Sequence, residues 1–260
     1  IRLLRMSLPI SRVSRAFRPV SSNIKTGVYG KLPSHGDFIS RDLSQVFVHQ
    51  WDAWLQSGLE ASKKTLQEHW NDVFLTSPIW RFVLAPGVIG DTCWLGCISP
   101  SSDSVGRTFP VTFAREYPTA TNPFLLAMRS EPWMRAIEKE ILDTFEAATR
   151  PVESILEAVN AIDEPELGEP LPRSPELGFG ESWCYQGFGS PSGFFTAHLS
   201  DQMLSHQLGT YAMWWGLGSQ SLHPSVLLTR QLPDTQQFSA MISGSWSEQG
   251  WYVIDRTDSV

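Results

Sequence analysis

Two polar segments in the first half of the chain contain side chains whose types could support chemistry. The first holds His35 and Asp37, and the second holds Ser101, Asp103 and Arg107. A histidine, a serine and carboxylates are the components of hydrolytic sites, and an arginine fork suits a carboxylate or phosphate ligand. Three functions are therefore possible for these segments: hydrolysis, binding of a phosphate or nucleotide, and docking of another protein.

The hydrolytic interpretation lacks the local features that activate a nucleophile. Ser101 follows Pro100 and is not part of a G-x-S-x-G turn, and the sequence places no base beside it. We therefore expect no catalytic residue here. We interpret His35, Asp37, Ser101, Asp103 and Arg107 as a candidate interaction or pocket site.

The sequence also gives no sign of a cofactor or a metal site. The glycine-rich segment 27–38 has neither the GxxxxGK[ST] nor the GxGxxG spacing of a phosphate-binding loop. The three cysteines, Cys93, Cys97 and Cys184, form no CxxC pair. Cys93 and Cys97 are four positions apart, so on a strand they would share one face and pack as small apolar side chains.

Both polar segments also have a structural interpretation. Asp37 could cap the helix that follows or close a turn, with His35 in solvent, or the two could line a polar pocket or contact a partner. Asp103 and Arg107 could form an ion pair that holds the second loop. Alternatively, Arg107 could face outward and bind an acidic or phosphorylated group of a partner.

Hydrophobic spacing predicts the elements that position these loops. We predict strands at 27–32, 81–85, 92–99, 109–115, 211–217 and 226–231, and helices at 43–59 with an extension to 74, 122–149, 151–162 and 235–242. Asp42 or Ser40 is predicted to cap the first helix. Because strands and helices alternate, we expect an α/β fold, a mixed sheet flanked by helices in a layered sandwich, whose strand order the sequence does not indicate.

Trp214 and Trp215 are adjacent on a predicted strand and must point to opposite faces of it. Both can be buried only if the strand is covered on both sides, which predicts a central strand. The alternative is an exposed aromatic binding surface.

Charge and composition limit the classes of partner. Residues 1–25 carry six basic and no acidic groups, so the other residues carry 14 basic and 27 acidic groups, a net charge of -13. An acidic body disfavours nucleic acid, and no apolar run approaches the roughly 18 residues that span a bilayer. The low, odd cysteine count argues against a disulfide framework and fits a reducing compartment. We predict a disordered basic tail over 1–25 and one domain over 26–260, with an acidic proline-rich loop at 163–178.

Four segments in this order resemble the TagF/ImpM family of type VI secretion-associated proteins. They are GVYGKLPSHGDF at 27–38, WDAWL at 51–55, SPIWRF at 77–82, and WLG at 94–96 leading into PSSDSVGRTFP at 100–110. Each alone is weak, but their order and spacing make the set specific. The resemblance extends over roughly residues 26–245 and excludes the basic tail.

The resemblance implies a compact α/β domain in the bacterial cytoplasm that restrains the secretion machine after translation. That role involves a threonine-phosphorylation pathway with a kinase, a phosphatase and a forkhead-associated protein. The partners it implies are type VI secretion components, with the forkhead-associated domain protein as one candidate. No established catalytic residues come with the family. We therefore expect a repressor that acts by protein–protein interaction, with a hydrolase or a phosphate- or nucleotide-binding module as the alternative.

Overall fold

A seven-stranded antiparallel sheet forms the centre of the computed structural model, which describes residues 24–146, 150–168 and 191–255. The strands are β1 (Thr26–Gly30), β2 (Ile39–Arg41), β3 (Trp80–Leu84), β4 (Cys93–Ser99), β5 (Val111–Tyr117), β6 (Ala212–Gly216) and β7 (Ser225–Thr229). Their order is β2-β1-β5-β4-β3-β6-β7, and every pairing is antiparallel. The predicted α/β layering is confirmed. We expected a mixed sheet, whereas all the strand pairs are antiparallel, so the sheet is an open antiparallel one.

Helices cover both faces of the sheet. They are α1 (Gln45–Leu66), α2 (Trp70–Leu75), α3 (Pro123–Arg129), α4 (Glu131–Glu146), α5 (Val152–Asn160), α6 (Gly193–Leu208) and α7 (Thr235–Ser243). Helices α1, α2 and α7 pack with one apolar cluster, and α3, α4 and α5 with the other. Apolar residues at helical spacing therefore form two cores, one on each side of the sheet.

Aromatic side chains dominate the core beneath α1 and α7. Trp51 is fully buried, and its indole N–H donates to Thr112 Oγ1 at 2.8 Å. Its ring lies 5.1 Å from that of Phe47 and 6.0 Å from that of Trp214, centroid to centroid. These contacts fix α1 on the sheet, which in turn places the loop that precedes the helix.

A buried arginine joins the opposite face to α4. Arg81 on β3 donates from Nε and Nη2 to the two carboxylate oxygens of Glu138 and from Nη1 to Glu131, each at 2.6 Å. Hydrogen bonding to Glu138 raises the pKa of Arg81 above its ordinary value despite burial. Cys93 and Cys97 are both buried in this core, as the four-residue spacing predicted.

The tandem tryptophans lie on a strand that is covered on both sides, as predicted. Strand β6 lies between β3 and β7. Trp214 is fully buried in the aromatic core, and Trp215 is half-buried against the opposite core.

Three details of the element prediction were wrong. Ser44, and neither Asp42 nor Ser40, caps α1, since its Oγ accepts from Phe47 N at 3.3 Å. The helix predicted over 122–149 is divided into α3 and α4 at Ser130, because Pro132 cannot continue a helix through its preceding turn. Strand β2 and helix α6 were not predicted.

Part of the predicted organisation lies outside the described residues. This applies to residues 1–23 of the predicted tail, to 169–178 of the predicted acidic loop, and to Cys184. Ile24 packs against the core formed with α3, α4 and α5. Among the described helices, none combines the length and the apolar character needed to cross a bilayer.

Candidate functional site

The two polar segments lie side by side at one end of the sheet. One follows β1 and the other connects β4 to β5, and the pairing of β1 with β5 sets Gly30 opposite Val111. Residues 31–38 and 100–110 are called the paired loops below. The backbone N–H of Ser104 donates to the carbonyl of His35 at 3.0 Å, and Arg107 Nη2 donates to the carbonyl of Gly36 at 2.6 Å. Two segments that are distant in sequence therefore form one surface.

A buried carboxylate is the centre of the paired loops. Asp103 Oδ1 accepts the backbone N–H groups of Val105 and Arg107 at 3.1 and 2.8 Å. Its Oδ2 lies 2.6 Å from Arg107 Nε and 3.0 Å from Lys31 Nζ. Burial by itself would raise the pKa of Asp103, but these donors outweigh it and hold the pKa well below the ordinary value. The predicted Asp103–Arg107 ion pair is confirmed.

Lys31 is a member of the site that the sequence interpretation missed. Its ammonium group is buried between Asp103 and the Phe38 ring, whose centroid is 5.0 Å away. A lysine directly after a strand usually extends into solvent. The only signal that could have identified it was its place in the 27–38 motif.

His35 and Asp37 do not have the structural roles proposed for them. His35 is half-buried, and its Nδ1 lies 2.9 Å from Ser34 Oγ. The Asp37 side chain is almost fully exposed and approaches Arg107 Nη2 only to 3.8 Å. Asp37 is not the helix cap, because Ser44 occupies that position. Both residues nevertheless lie in the paired loops, beside Arg107.

The hydroxyl of Ser101 is buried, and its Oγ has no hydrogen-bond partner among the described residues. The ring of His35 is bonded to Ser34, and the oxygens of Asp103 are occupied by Lys31 and Arg107. Serine, histidine and aspartate of the paired loops are therefore close in the fold, but no contact between a nucleophile and a base is formed among them.

Five side chains of the paired loops are exposed, and four of them, which exclude Ser104, are called the exposed loop surface. Their exposed fractions are 99% for Asp37, 52% for Phe38, 69% for Val105 and 57% for Arg107. The Phe38 ring is held edge-on against Phe109 with centroids 4.8 Å apart. This surface combines an aromatic ring, an aliphatic side chain and charges on a hydrogen-bonded frame.

The hydroxyl of Tyr29 joins β1 to α1. It donates to Asp52 Oδ1 at 2.5 Å, and burial together with this carboxylate raises the pKa of Tyr29. Tyr29 and Asp52 belong to the first and second sequence motifs, so these motifs fix the loop that begins at Lys31 relative to α1.

A small apolar cleft opens at the base of the second loop. Its volume is about 30 Å³, and Trp54, Trp80, Pro100 and Pro110 are among its lining residues. Across the described ranges, no three His, Cys, Asp or Glu side chains are grouped so that they could hold a metal ion.

Comparison with known proteins places these features in a family context. The model of the TagF N-terminal domain, described as type VI secretion system-associated, matches residues 27–162 and so includes both paired loops. The crystal structure of PA0076 from Pseudomonas aeruginosa PAO1 is similar, with a TM-score of 0.72 and 33% sequence identity. The match covers 89% of this chain and 97% of that one. No curated protein matches the chain.

Proposed function

The chain belongs to the TagF family of type VI secretion system-associated proteins, and from this premise we propose that it is a cytoplasmic regulator that restrains secretion by binding other proteins. The proposal depends on one observation above all. The charged groups at the centre of the paired loops are bound to one another, while the exposed loop surface presents apolar and charged side chains outward. Such an arrangement is suited to docking.

The chemistry of the site supports binding without catalysis. A general base must reach the proton it removes, and a carboxylate that is fully occupied by an ammonium and a guanidinium group is a weak base. Asp103 is such a carboxylate. Arg107 is likewise committed through Nε and Nη2, which leaves less of its fork for a phosphate ligand.

We propose that the partners are type VI secretion components, with a forkhead-associated domain protein as one candidate. Family membership supports the association with this secretion system. The acidic charge of residues 26–260 gives no support for a nucleic-acid partner.

Deletion of the gene tests the proposal. In a strain with an active type VI system, secretion of a substrate is measured in the deletion strain and after complementation. We expect secretion to rise on deletion and to return to the original level with the wild-type gene. Unchanged or reduced secretion in the deletion strain would contradict the restraining role.

A binding assay tests the mode of action separately. The purified protein is immobilised and incubated with purified type VI components of the same strain, one at a time. We expect at least one component to be retained in a salt-resistant complex. Retention of none would contradict regulation by direct binding, whatever the secretion phenotype.

A further inference from the structure

The two edges of the sheet are built differently. Strand β2 forms one edge with only three residues, one of them Arg41, and Asp42 directly after it has a positive φ of 54°, which ends the extended conformation. Short length and charged side chains protect natural sheet edges from pairing with another chain. Strand β7 forms the other edge with five residues, Ser225–Thr229, and none of them is charged. The protection found at β2 is therefore missing at β7.

One hydrogen-bonding side of β7 is open. The strand pairs with β6 on one side, and no strand of the described residues pairs with it on the other. In an antiparallel sheet the backbone N–H and C=O groups of alternate residues point to opposite neighbours, so part of the backbone of β7 faces away from the sheet. A further extended segment can bind these groups by the same ladder that joins β6 to β7. The occupant that this edge accepts is therefore a β-strand.

Apolar side chains on one face of β7 are uncovered as well. Val226 lies opposite Trp215 of β6, and Leu228 lies opposite Met213. These four side chains therefore share the face that α3, α4 and α5 cover farther along the sheet. Val226 is 81% exposed and Leu228 is 46% exposed, whereas Leu227 on the other face is buried in the aromatic core. A strand added at this edge would bring side chains against Val226 and Leu228 and remove apolar surface from water.

The sequence of β7 is complementary to itself in the antiparallel direction. A two-fold axis at Leu227 would set Val226 of each copy opposite Leu228 of the other on the uncovered face. On the opposite face it would set Ser225 opposite Thr229. Cross-strand pairs of apolar side chains and of hydroxyl groups are both favourable. Of the strands that could occupy this edge, β7 of a second copy therefore fits every position.

We propose that β7 forms a homodimer interface, in which it pairs antiparallel with β7 of a second copy about Leu227 and makes one continuous sheet. Charge does not oppose this register. Arg230 directly follows the strand, so the arginines of the two copies lie at opposite ends of the paired segment. Pairing uses the open edge of both copies and leaves β2 at each end, so the assembly closes at two copies. Such a dimer is independent of the regulatory role proposed above.

Sedimentation equilibrium of the full chain over a range of concentrations tests the pairing. We expect the wild type to be in a reversible equilibrium between monomer and dimer. Val226→Lys and Leu228→Glu should each raise the dissociation constant of the dimer by roughly tenfold, because each places two charged side chains in an apolar interface. A mixture of the two variants should dimerise better than either variant alone. The register sets the two introduced charges, which are opposite in sign, directly across from each other.

Matched substitutions on helices separate the strand edge from a general effect of charge. Val46→Lys on α1 and Leu75→Glu on α2 replace the same residue types at exposed positions. We expect both control variants to dimerise as the wild type does. Circular dichroism spectra of all four variants should match that of the wild type, because every altered side chain is exposed.

Three results would overturn the proposal. A wild type that stays monomeric up to about 100 µM would show that this edge binds no second copy, and would leave it to a strand of a different protein. A dimer whose dissociation constant is the same for the wild type, Val226→Lys and Leu228→Glu would place the interface elsewhere. Weakened single variants that gain nothing on mixing would contradict the antiparallel register about Leu227.

Discussion

Lys31 Nζ lies 3.0 Å from Asp103 Oδ2, and the two side chains are 8% and 0% exposed. This buried ion pair links the two paired loops, which are also joined by a backbone hydrogen bond from Ser104 to His35. Because the pKa of Asp103 is lowered in the folded protein, its ionised form contributes stability above its unfolded pKa of about 4. That contribution is lost as the pH falls below about 4 toward the folded pKa.

The first prediction concerns Lys31→Met. Removing the ammonium group brings the folded pKa of Asp103 closer to its unfolded value, so the variant should be less stable at neutral pH. Its stability should also decline less steeply in acid. Urea unfolding at a series of pH values below neutrality measures both effects. Lys25→Met is the control, since Lys25 is exposed and forms no ion pair with the described residues. Equal slopes for the two variants would contradict the prediction.

The second prediction concerns the arginine that joins β3 to α4. Arg81→Met should lower the free energy of unfolding by roughly 3 kcal/mol, because it leaves the Glu138 carboxylate half-buried without its cation. Arg135→Met should cost about 0.5 kcal/mol at most, since Arg135 pairs with Glu131 at the surface. Denaturant unfolding measures both. The double variant with Glu138→Gln should recover part of the loss, and no recovery would show that the cost lies in packing.

The third prediction concerns close packing at Gly96. A Cβ at this position would lie 2.3 Å from Phe82 Cζ and 2.6 Å from the carbonyl oxygen of Phe113. Gly96→Ala should therefore destabilise the protein by about 1–3 kcal/mol, because the sheet and the aromatic core must both shift. At Gly36 the nearest atom would be Ser104 Oγ at 3.5 Å, so Gly36→Ala should change stability by about 0.5 kcal/mol or less. Equal thermal midpoints for the two variants would contradict this account.

The fourth prediction concerns a buried histidine on α6. His198 Nδ1 lies 3.4 Å from Asn122 Nδ2, and its Nε2 accepts or donates no hydrogen bond within the part of the chain that the structure describes. Burial lowers the pKa of His198, and the nearby Asp201 offsets this only in part. The unfolded chain therefore takes up a proton near pH 6.5 that the folded chain resists, so stability should fall as the pH drops below about 6.5.

His198→Gln should reduce this loss of stability, and His49→Gln, at an exposed position of α1, should not. Urea unfolding at pH 7 and at a mildly acidic pH measures the difference for each variant. A wild-type protein that is equally stable at the two pH values would contradict the assignment of a neutral, buried His198.

The sequence predicted the core elements well because their side chains alternate or recur with clear periods. Strand β4 is fully buried and was predicted to within one residue at each end, and the regular apolar stripe of α1 placed the start of that helix within two residues. The end of α1 at Leu66 was not predicted, because the first helix was expected over 43–59 with an extension to 74. Helix α6 was missed because only three of its residues, Ala197, His198 and Asp201, are buried, and two of these are polar. Its apolar residues therefore carry no helical period.

The sequence indicated the ion pair within one loop of the site but not the contact between the two loops. The Asp103–Arg107 pair is four residues apart on one loop, so local spacing indicated it. The contact of Lys31 with Asp103 depends on the pairing of β1 with β5, which no local pattern reveals. The helix cap was assigned to Asp42 or Ser40 and belongs to Ser44, because capping residues were abundant there and only backbone geometry distinguishes them.

Strand β3 lies between β4 and β6, and β6 lies outside the region that the family model matches. The matched region is therefore not a complete folding unit. Residues 27–162 contain β1 to β5, but the second neighbour of β3 comes from residues 212–216. A fragment cut after 162 would have an open, apolar sheet edge at β3, and Trp54 would lose its contacts with Trp214 and Phe238. Such a fragment is expected to self-associate, so truncations limited to the region that the family model matches would report on aggregation and not on function.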